Sequence, residues 1–200
     1  NNGNSSIDKF HLYKLLDESL RFFNEEVLYE SAISKMLVEE DLFVTSENRY
    51  ALSMLYYAEK RILEFFTRRK DEKNRKIIAT FDEYLIKKQE TLGFELSTEQ
   101  KKAVELINNG DKTLFLIGYA GTGKSTSSRA ILELLEETMS YDDIMTIALS
   151  GIASQRISDT TGYNSSTIQS LLMKHKEKDF FPYKAILLDE ASMVNSVTFN

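Results

Sequence analysis

Eight residues, Gly118 to Ser125, have the composition and spacing of a phosphate cradle. Gly118, Gly123, Lys124 and Ser125 fit G-x-x-x-x-G-K-[ST], with an extra glycine at Gly121. Glycines let successive backbone N–H groups turn inward into a concave anion nest. The helix predicted to follow aims the positive end of its dipole at the same point. Lys124 adds a mobile positive charge for the β- and γ-phosphates, and the Ser125 hydroxyl suits ligation of Mg²⁺. Thr122 and Thr126 complete the candidate cofactor-binding set. The competing reading is a glycine-rich turn with a chance lysine. It is disfavoured because the apolar run Thr113 to Ile117 reads as a buried strand, so strand, loop and helix come in the required order.

A second candidate is the acidic pair Asp189-Glu190, which ends the apolar run Ala185 to Leu188. At the carboxyl end of such a strand, Asp189 can hold Mg²⁺ through its water shell. Glu190 can orient or deprotonate an attacking water, which is a hydrolase signature rather than a kinase one. Alone, the pair would read as acids opening a short helix at 191–194. With a P-loop upstream, the Walker B reading is preferred. Gln100 has two readings. With Ser97 three residues before it, it forms a capping box; alternatively its amide, which donates and accepts at once, reads adenine.

The rest of the chain must position these groups. Its 200 residues suit one or two domains, with 42% hydrophobic and 28% charged residues. No cysteine is present, which excludes disulfides and thiolate metal sites. No apolar run approaches the ~20 residues that span a bilayer, so no membrane partner is expected and the setting reads as cytoplasmic. A net charge of −6 argues against a broadly basic surface but leaves room for a local basic groove. The start lacks both a signal pattern and an initiator Met, and reads as the cut edge of a longer protein. Residues 1–92 read as a helical accessory domain. It has helices over 7–23, about 25–39, 53–69 and 76–91, and a hairpin over 41–52 with Thr45 to Asn48 at its turn. Helix, helix and hairpin together give a winged-helix-like module. Arg68 to Lys76 mixes charge signs and reads as a solvated helix junction, and Gly93 as a helix C-cap. His11 reads as an ordinary helix residue, since one histidine makes no metal site. Residues 93–200 read as alternating helices and strands. The strands fall at 113–117, 144–149 and 185–188, giving an α/β parallel sheet with its ligand at the carboxyl ends. Lys174 to Lys178, with His175 inside it, reads as a solvated loop.

Four stretches in order resemble superfamily 1 helicases. Leu96 to Val104 is similar to their Q-motif and Gly118 to Ser125 to motif I. Ala148 to Ile157 with Ser166 to Leu172 is similar to motif Ia and the segment behind it. Leu187 to Val194 is similar to motif II. The form Asp-Glu-Ala-Ser-Met at 189–193 and the Ser-Thr-Ile segment at 166–168 resemble the RecD-like branch, that of the exodeoxyribonuclease V alpha subunit. Tyr57 to Ile62 is more weakly reminiscent of the helical region ahead of that motor. Tyr119 departs from the branch, which often has a second glycine there. The resemblance implies a partial RecA-like motor domain of an ATP-dependent DNA translocase, 5′→3′ in polarity, acting in DNA repair or recombination. Other subunits of a recombination or repair complex are implied partners. It further implies that Gln100 contacts adenine, that Lys124 and Glu190 are catalytic, and that Ser125 and Asp189 hold Mg²⁺. Ser150, Gly151 and Ser154, with Thr167 and Gln169, would touch single-stranded or partly duplex DNA. The family's later motifs, including its arginines, are not in the sequence, so negligible hydrolysis is expected of these residues alone. The alternative is a nucleotide-gated switch or scaffold that binds a protein partner without separating strands.

Overall fold

A computed structural model describes residues 6–20, 29–45, 49–93, 95–119, 121–178 and 180–199. Their contacts divide into two units, residues 1–65 with 195–200 and residues 66–194.

In the first unit, β1 (Ser6–Ile7) is followed by α1 (Lys9–Leu20), α2 (Tyr29–Val38), β2 (Leu42–Val44), β3 (Tyr50–Leu52) and the start of α3 (Ser53–Arg69). The strands pair antiparallel in the order β1-β3-β2, with Ala51 opposite both Ser6 and Phe43. Two helices lie in sequence between the first strand and a hairpin whose return strand pairs with it, so the helix, helix, hairpin order expected of this part is present. Its core is Leu12, Ile33 and Leu42, with Ile7, Met36, Leu37 and Tyr50 against them. The expected start of the second helix at 24–26 and the hairpin residues 46–48 lie outside the described residues.

The second unit contains α4 (Phe81–Leu92), α5 (Thr98–Asn108), α6 (Lys124–Leu135), β4 (Ile144–Ala148), α7 (Gly151–Thr161), β5 (Ser165–Thr167), α8 (Ile168–Lys174) and β6 (Ala185–Leu188). All three strands are parallel, in the order β5-β4-β6. The central β4, Ile-Met-Thr-Ile-Ala, is buried at every position, as a strand covered on both faces must be. Its side chains alternate between the faces. Met145 and Ile147 meet Ile168 and Leu171 of α8, whereas Ile144 meets Leu132 of α6 and Tyr163.

Four expectations need correction here. Residues 113–117 form no strand and enter no ladder. They keep a strand's two-residue alternation: Leu114 and Leu116 pack on the α4–α5–α6 core, while Phe115 and Ile117 are 62% and 95% exposed. The sheet instead gains β5, whose residues Ser-Ser-Thr carry no apolar signal. Residues 76–80 are not helical, and α4 begins at Phe81, although Gly93 caps it in the left-handed conformation as expected. Finally, the units divide at 65/66, inside α3, and not at 92/93. The reason is that Phe81 and Leu85 of α4 are buried with Leu96, Val104, Ile131 and Leu134.

The charged stretch expected to be a solvated junction is a strap held on the end of α5. Asn74 N–H donates to the Gly110 carbonyl at 2.7 Å and Ile77 N–H to the Asn108 carbonyl at 3.0 Å. The fully buried Asn108 amide then pairs with both backbone groups of Ile78, accepting at 2.9 Å and donating at 3.1 Å. Lys73 pairs with Asp111 at 3.3 Å and Lys112 with Glu72 at 3.1 Å. Gly110 sits at φ +91°, and a Cβ there would lie 2.2 Å from the Asn74 carbonyl oxygen. Close approach and positive φ both demand glycine. Asn108→Ala leaves the two Ile78 backbone groups unpaired and is expected to cost about 1–3 kcal/mol, read as a lowered midpoint in urea unfolding. Gly110→Ala is expected to lower that midpoint as well.

A polar clamp fixes α4 to α6. Lys88 Nζ lies 2.5 Å and Arg129 Nε 2.9 Å from the half-buried Glu133 carboxylate. Burial pushes the Glu133 pKa up, but the hydrogen bonds from Lys88 and Arg129 outweigh it and hold the group below its ordinary 4.5. A carboxylate depressed on folding stabilises above its unfolded pKa and loses that contribution as pH falls through the folded one. Glu133→Gln is therefore expected to lower stability at neutral pH and to flatten its decline below about pH 4.5, measured by thermal unfolding across pH.

Candidate functional site

Ser97 N-caps α5, and its hydroxyl accepts from Gln100 N–H at 3.3 Å. The Gln100 side chain reaches back, its Oε1 accepting from Ser97 N–H at 2.8 Å. The expected capping box is therefore present. The other end of the same amide leaves the helix: Nε2 donates to the Gly123 carbonyl at 3.2 Å. Gln100 thus ties the start of α5 to the P-loop, a link that spacing alone could not reveal.

Gly123 sits at φ +79°, immediately before α6, and a Cβ there would lie 2.4 Å from Gln100 Nε2. Its carbonyl also accepts from the Ser127 N–H at 3.0 Å and the Ser127 hydroxyl at 3.2 Å. Ser127 is buried one turn into α6 and was not nominated from sequence, where a helix serine carries no distinguishing mark. Within the loop, Lys124 Nζ donates to the Gly118 and Tyr119 carbonyls at 2.7 and 2.8 Å, and the Thr122 hydroxyl donates to Tyr119 at 2.9 Å. Gly121 turns the chain at φ +80°.

The N-terminus of α6 has no side-chain cap and no acidic residue in its first turn. Its leading N–H groups and dipole are left for an anion. Ser125 and Thr126 occupy that turn, with Ser125 exposed. These groups fit the triphosphate of a nucleotide.

The parallel register defines a second line of residues. Ala148 is level with Thr167, and Ile147 with Leu188, so Asp189 comes level with Ala148. Asp189 N–H donates to the Ile147 carbonyl at 2.9 Å, continuing the ladder. Asp189, Ser150 and Thr167 thereby share the carboxyl edge of one sheet, where α/β sheets bind ligands. Asp189 Oδ1 accepts from Glu190 N–H at 3.0 Å. Glu190 is exposed and stands at φ 52°, ψ 39°, one of two non-glycine residues with positive φ among those described. That conformation costs a non-glycine residue about 1–3 kcal/mol, and such strain clusters at functional sites. The segment 113–117 that leads into the P-loop is no strand, so it does not lie beside β6, whose ladder partner among the described residues is β4. Among the described residues, no hydrogen bond joins Asp189 or Glu190 to residues 118–126.

The candidate DNA residues fall into two groups. Ser150 caps α7 through Ala153 N–H at 3.2 Å, and Thr167 caps α8 through Ser170 N–H at 3.1 Å. Gly151 and Gln169 are exposed beside them. Ser154 differs: it is buried, and its hydroxyl meets that of Ser165 at 2.9 Å, joining α7 to β5.

A family model for an AAA domain matches residues 95–200. The chain is 28% identical to the ATP-dependent RecD2 DNA helicase of Deinococcus radiodurans over 163 residues, which covers 75% of this chain and 21% of that protein. That match extends ahead of residue 95, where the family model begins. The chain is 31% identical to the ATP-dependent DNA helicase RRM3 of Saccharomyces cerevisiae over 112 residues, covering 50% of this chain and 16% of that one. It is 33% identical to the conjugal transfer protein TraA of Agrobacterium fabrum over 103 residues, 50% of this chain and 9% of that protein. The chain thus spans about a fifth or less of the length of these relatives. The resemblance read from the motifs is borne out by the two helicases.

Gln100→Ala removes the link to Gly123 and half of the capping box. It is expected to weaken binding of a non-hydrolysable ATP analogue about tenfold, the scale of one to two hydrogen bonds. Isothermal titration checks this, with helix content by circular dichroism expected to be unchanged.

Proposed function

The chain belongs to the AAA domain family through residues 95–200, and from that premise we propose that it is part of the first motor domain of an ATP-dependent DNA helicase of the RecD-like branch. The observation that carries the reading is the pairing of an uncapped P-loop helix with a sheet edge that bears Asp189, Ser150 and Thr167 together. The first suits a triphosphate. The second suits a metal-bound phosphate and a passing strand.

In this reading Gly118, Gly121, Thr122, Gly123, Lys124, Ser125 and Thr126 hold the phosphates of ATP. Gln100 takes the adenine while keeping the loop in register. Ser125 and Asp189 would hold Mg²⁺, and the donor set fits it: one hydroxyl and one carboxylate, both oxygen ligands. The metal would supply neutralising charge at the β- and γ-oxygens. Lys124 spreads charge over the same oxygens, and Glu190 orients the attacking water and takes its proton. Ser150, Gly151, Thr167 and Gln169 would contact the DNA backbone through hydroxyl, amide and N–H groups. Ser154 acts behind them, by fixing α7 on β5. A 5′→3′ polarity, a role in DNA repair or recombination, partner subunits of an exodeoxyribonuclease V-type complex and a cytoplasmic setting belong to the same reading.

The test separates binding from chemistry. Lys124→Ala is expected to weaken binding of a fluorescent ATP analogue at least tenfold. In a protein that hydrolyses ATP, Glu190→Gln is expected to keep that binding and lower turnover by about 10²–10⁴. Unchanged analogue binding by Lys124→Ala would overturn the proposal. So would single-stranded DNA failing to bind in both the analogue-loaded and the free state.

A further inference from the structure

His175 was expected in a solvated loop, yet it is buried at 6% exposure. It caps the carboxyl end of α8, and its ring stands edge-on to Phe181 and to Tyr183, both at 5.8 Å between centroids. Both ring nitrogens are closed off and take no hydrogen-bond partner among the described residues. A buried polar group left so is uncommon and calls for an explanation. The ring forms part of a cleft of about 380 Å³ lined also by Leu172, Lys176, Lys178, Phe180 and Phe181.

The cleft lies away from the candidate nucleotide site. Helix α8 leaves the carboxyl edge of the sheet at Thr167 and ends at His175, and Tyr183 leads into the amino end of β6. Nothing in the P-loop reading uses it.

Its chemistry is specific. Phe180 and Phe181 offer aromatic faces, and Phe180 is 76% exposed. Lys176 and Lys178 put two ammonium groups at the rim of a chain whose net charge is −6. Burial, with Lys178 and Lys174 nearby, holds the His175 pKa below its ordinary 6.5, so the imidazole is neutral. A neutral imidazole carries one donor and one acceptor, which suits the edge of a heteroaromatic ring better than a carboxylate. The volume falls in the range of small-molecule sites, about 300–1,000 Å³.

We propose that this cleft is a nucleotide-binding site, distinct from the P-loop, in which a nucleobase stacks on Phe180 beside His175 and its phosphate meets Lys176 and Lys178. Phe181, half-exposed and edge-on to the imidazole, swings aside and gives the base access to a ring nitrogen. Stacking on aromatic side chains with lysines along the backbone is how single strands are held without sequence preference. The proposal stands independently of the helicase reading, since it uses none of the residues at the sheet's carboxyl edge.

The test uses the chain carrying Lys124→Ala, so that the P-loop does not compete, and an oligo-dT strand with one 2-aminopurine. Binding is expected to quench the 2-aminopurine. Phe180→Ala is expected to abolish the quench and weaken binding about tenfold. Lys176→Ala with Lys178→Ala is expected to reduce the slope of log affinity against log salt by about 1.4, the value for two phosphate contacts on a single strand. All three side chains are exposed, so folding is retained. A free 2-aminopurine mononucleotide that quenches equally well identifies a free nucleotide as the ligand; quenching by the strand alone identifies nucleic acid. Equal quench and equal salt slope in the variants overturn the proposal. So does a Glu-Glu-Phe peptide that occupies the cleft while neither nucleotide form does.

Discussion

Three donors converge on one carbonyl oxygen, that of Gly123: the Gln100 amide, the Ser127 N–H and the Ser127 hydroxyl. A carbonyl has two lone pairs, so it is fully subscribed. Gly123 is also where the chain leaves the loop's left-handed turn and enters α6. Fixing that oxygen fixes the direction of the α6 axis relative to the loop, and hence where the leading N–H groups point. Because one donor comes from the N-terminus of α5, the capping geometry of one helix is tied to the N-terminus of the next. The core below holds the same two helices together, through Ala103 and Val104 of α5 and Ala130, Ile131 and Leu134 of α6.

The two sides of the candidate site are built by different means. The P-loop side rests on helix packing and on the strap over 72–78, which grips α5 at Asn108 and Gly110. The acidic side rests on the sheet, where β4 fixes the level of Asp189 through a ladder bond to Ile147. What joins them inside this unit is α6, which packs on α5 and also lays Leu132 against Ile144 of β4. Leu132 is 1% exposed and Leu134 is fully buried. Motion of α6 therefore reaches both sides of the candidate site.

How much of this was legible depended on the range of the interactions. Ser97 and Gln100 are three apart, so their reciprocal cap could be read from spacing, as could the glycine cap at Gly93 and the P-loop itself. Gln100 to Gly123 spans 23 positions and had no local signature. The strap has no local signature for the same reason. Its charges have both signs, and the partners that make it ordered, Asn108, Gly110, Asp111 and Lys112, lie some 30 to 40 residues away. His175 sits among lysines and reads as solvent-facing, but Phe181 and Tyr183, arriving from the next loop, stand edge-on against its ring. β5 has no apolar residue to announce it. It exists because Thr146 in the neighbouring strand gives both its N–H and its hydroxyl to the Asn164 carbonyl, drawing the chain alongside.

The stretch 113–117 shows the opposite failure, a strand signal without a strand. Thr-Leu-Phe-Leu-Ile is apolar, partly β-branched, uncharged and free of proline. It is held in an alternating conformation with Ile117 almost fully exposed and no ladder on either side. Backbone N–H and C=O groups in such a segment are a template for strand addition by another chain. Lys112 and Asp111 border it on one side and act as gatekeepers, but the Gly118 side has no charge until Lys124. The residues that lead into the candidate phosphate site therefore also present an unpaired extended backbone of the kind that accepts strand addition. Occupying or pairing that segment would protect solubility as much as it would shape the site.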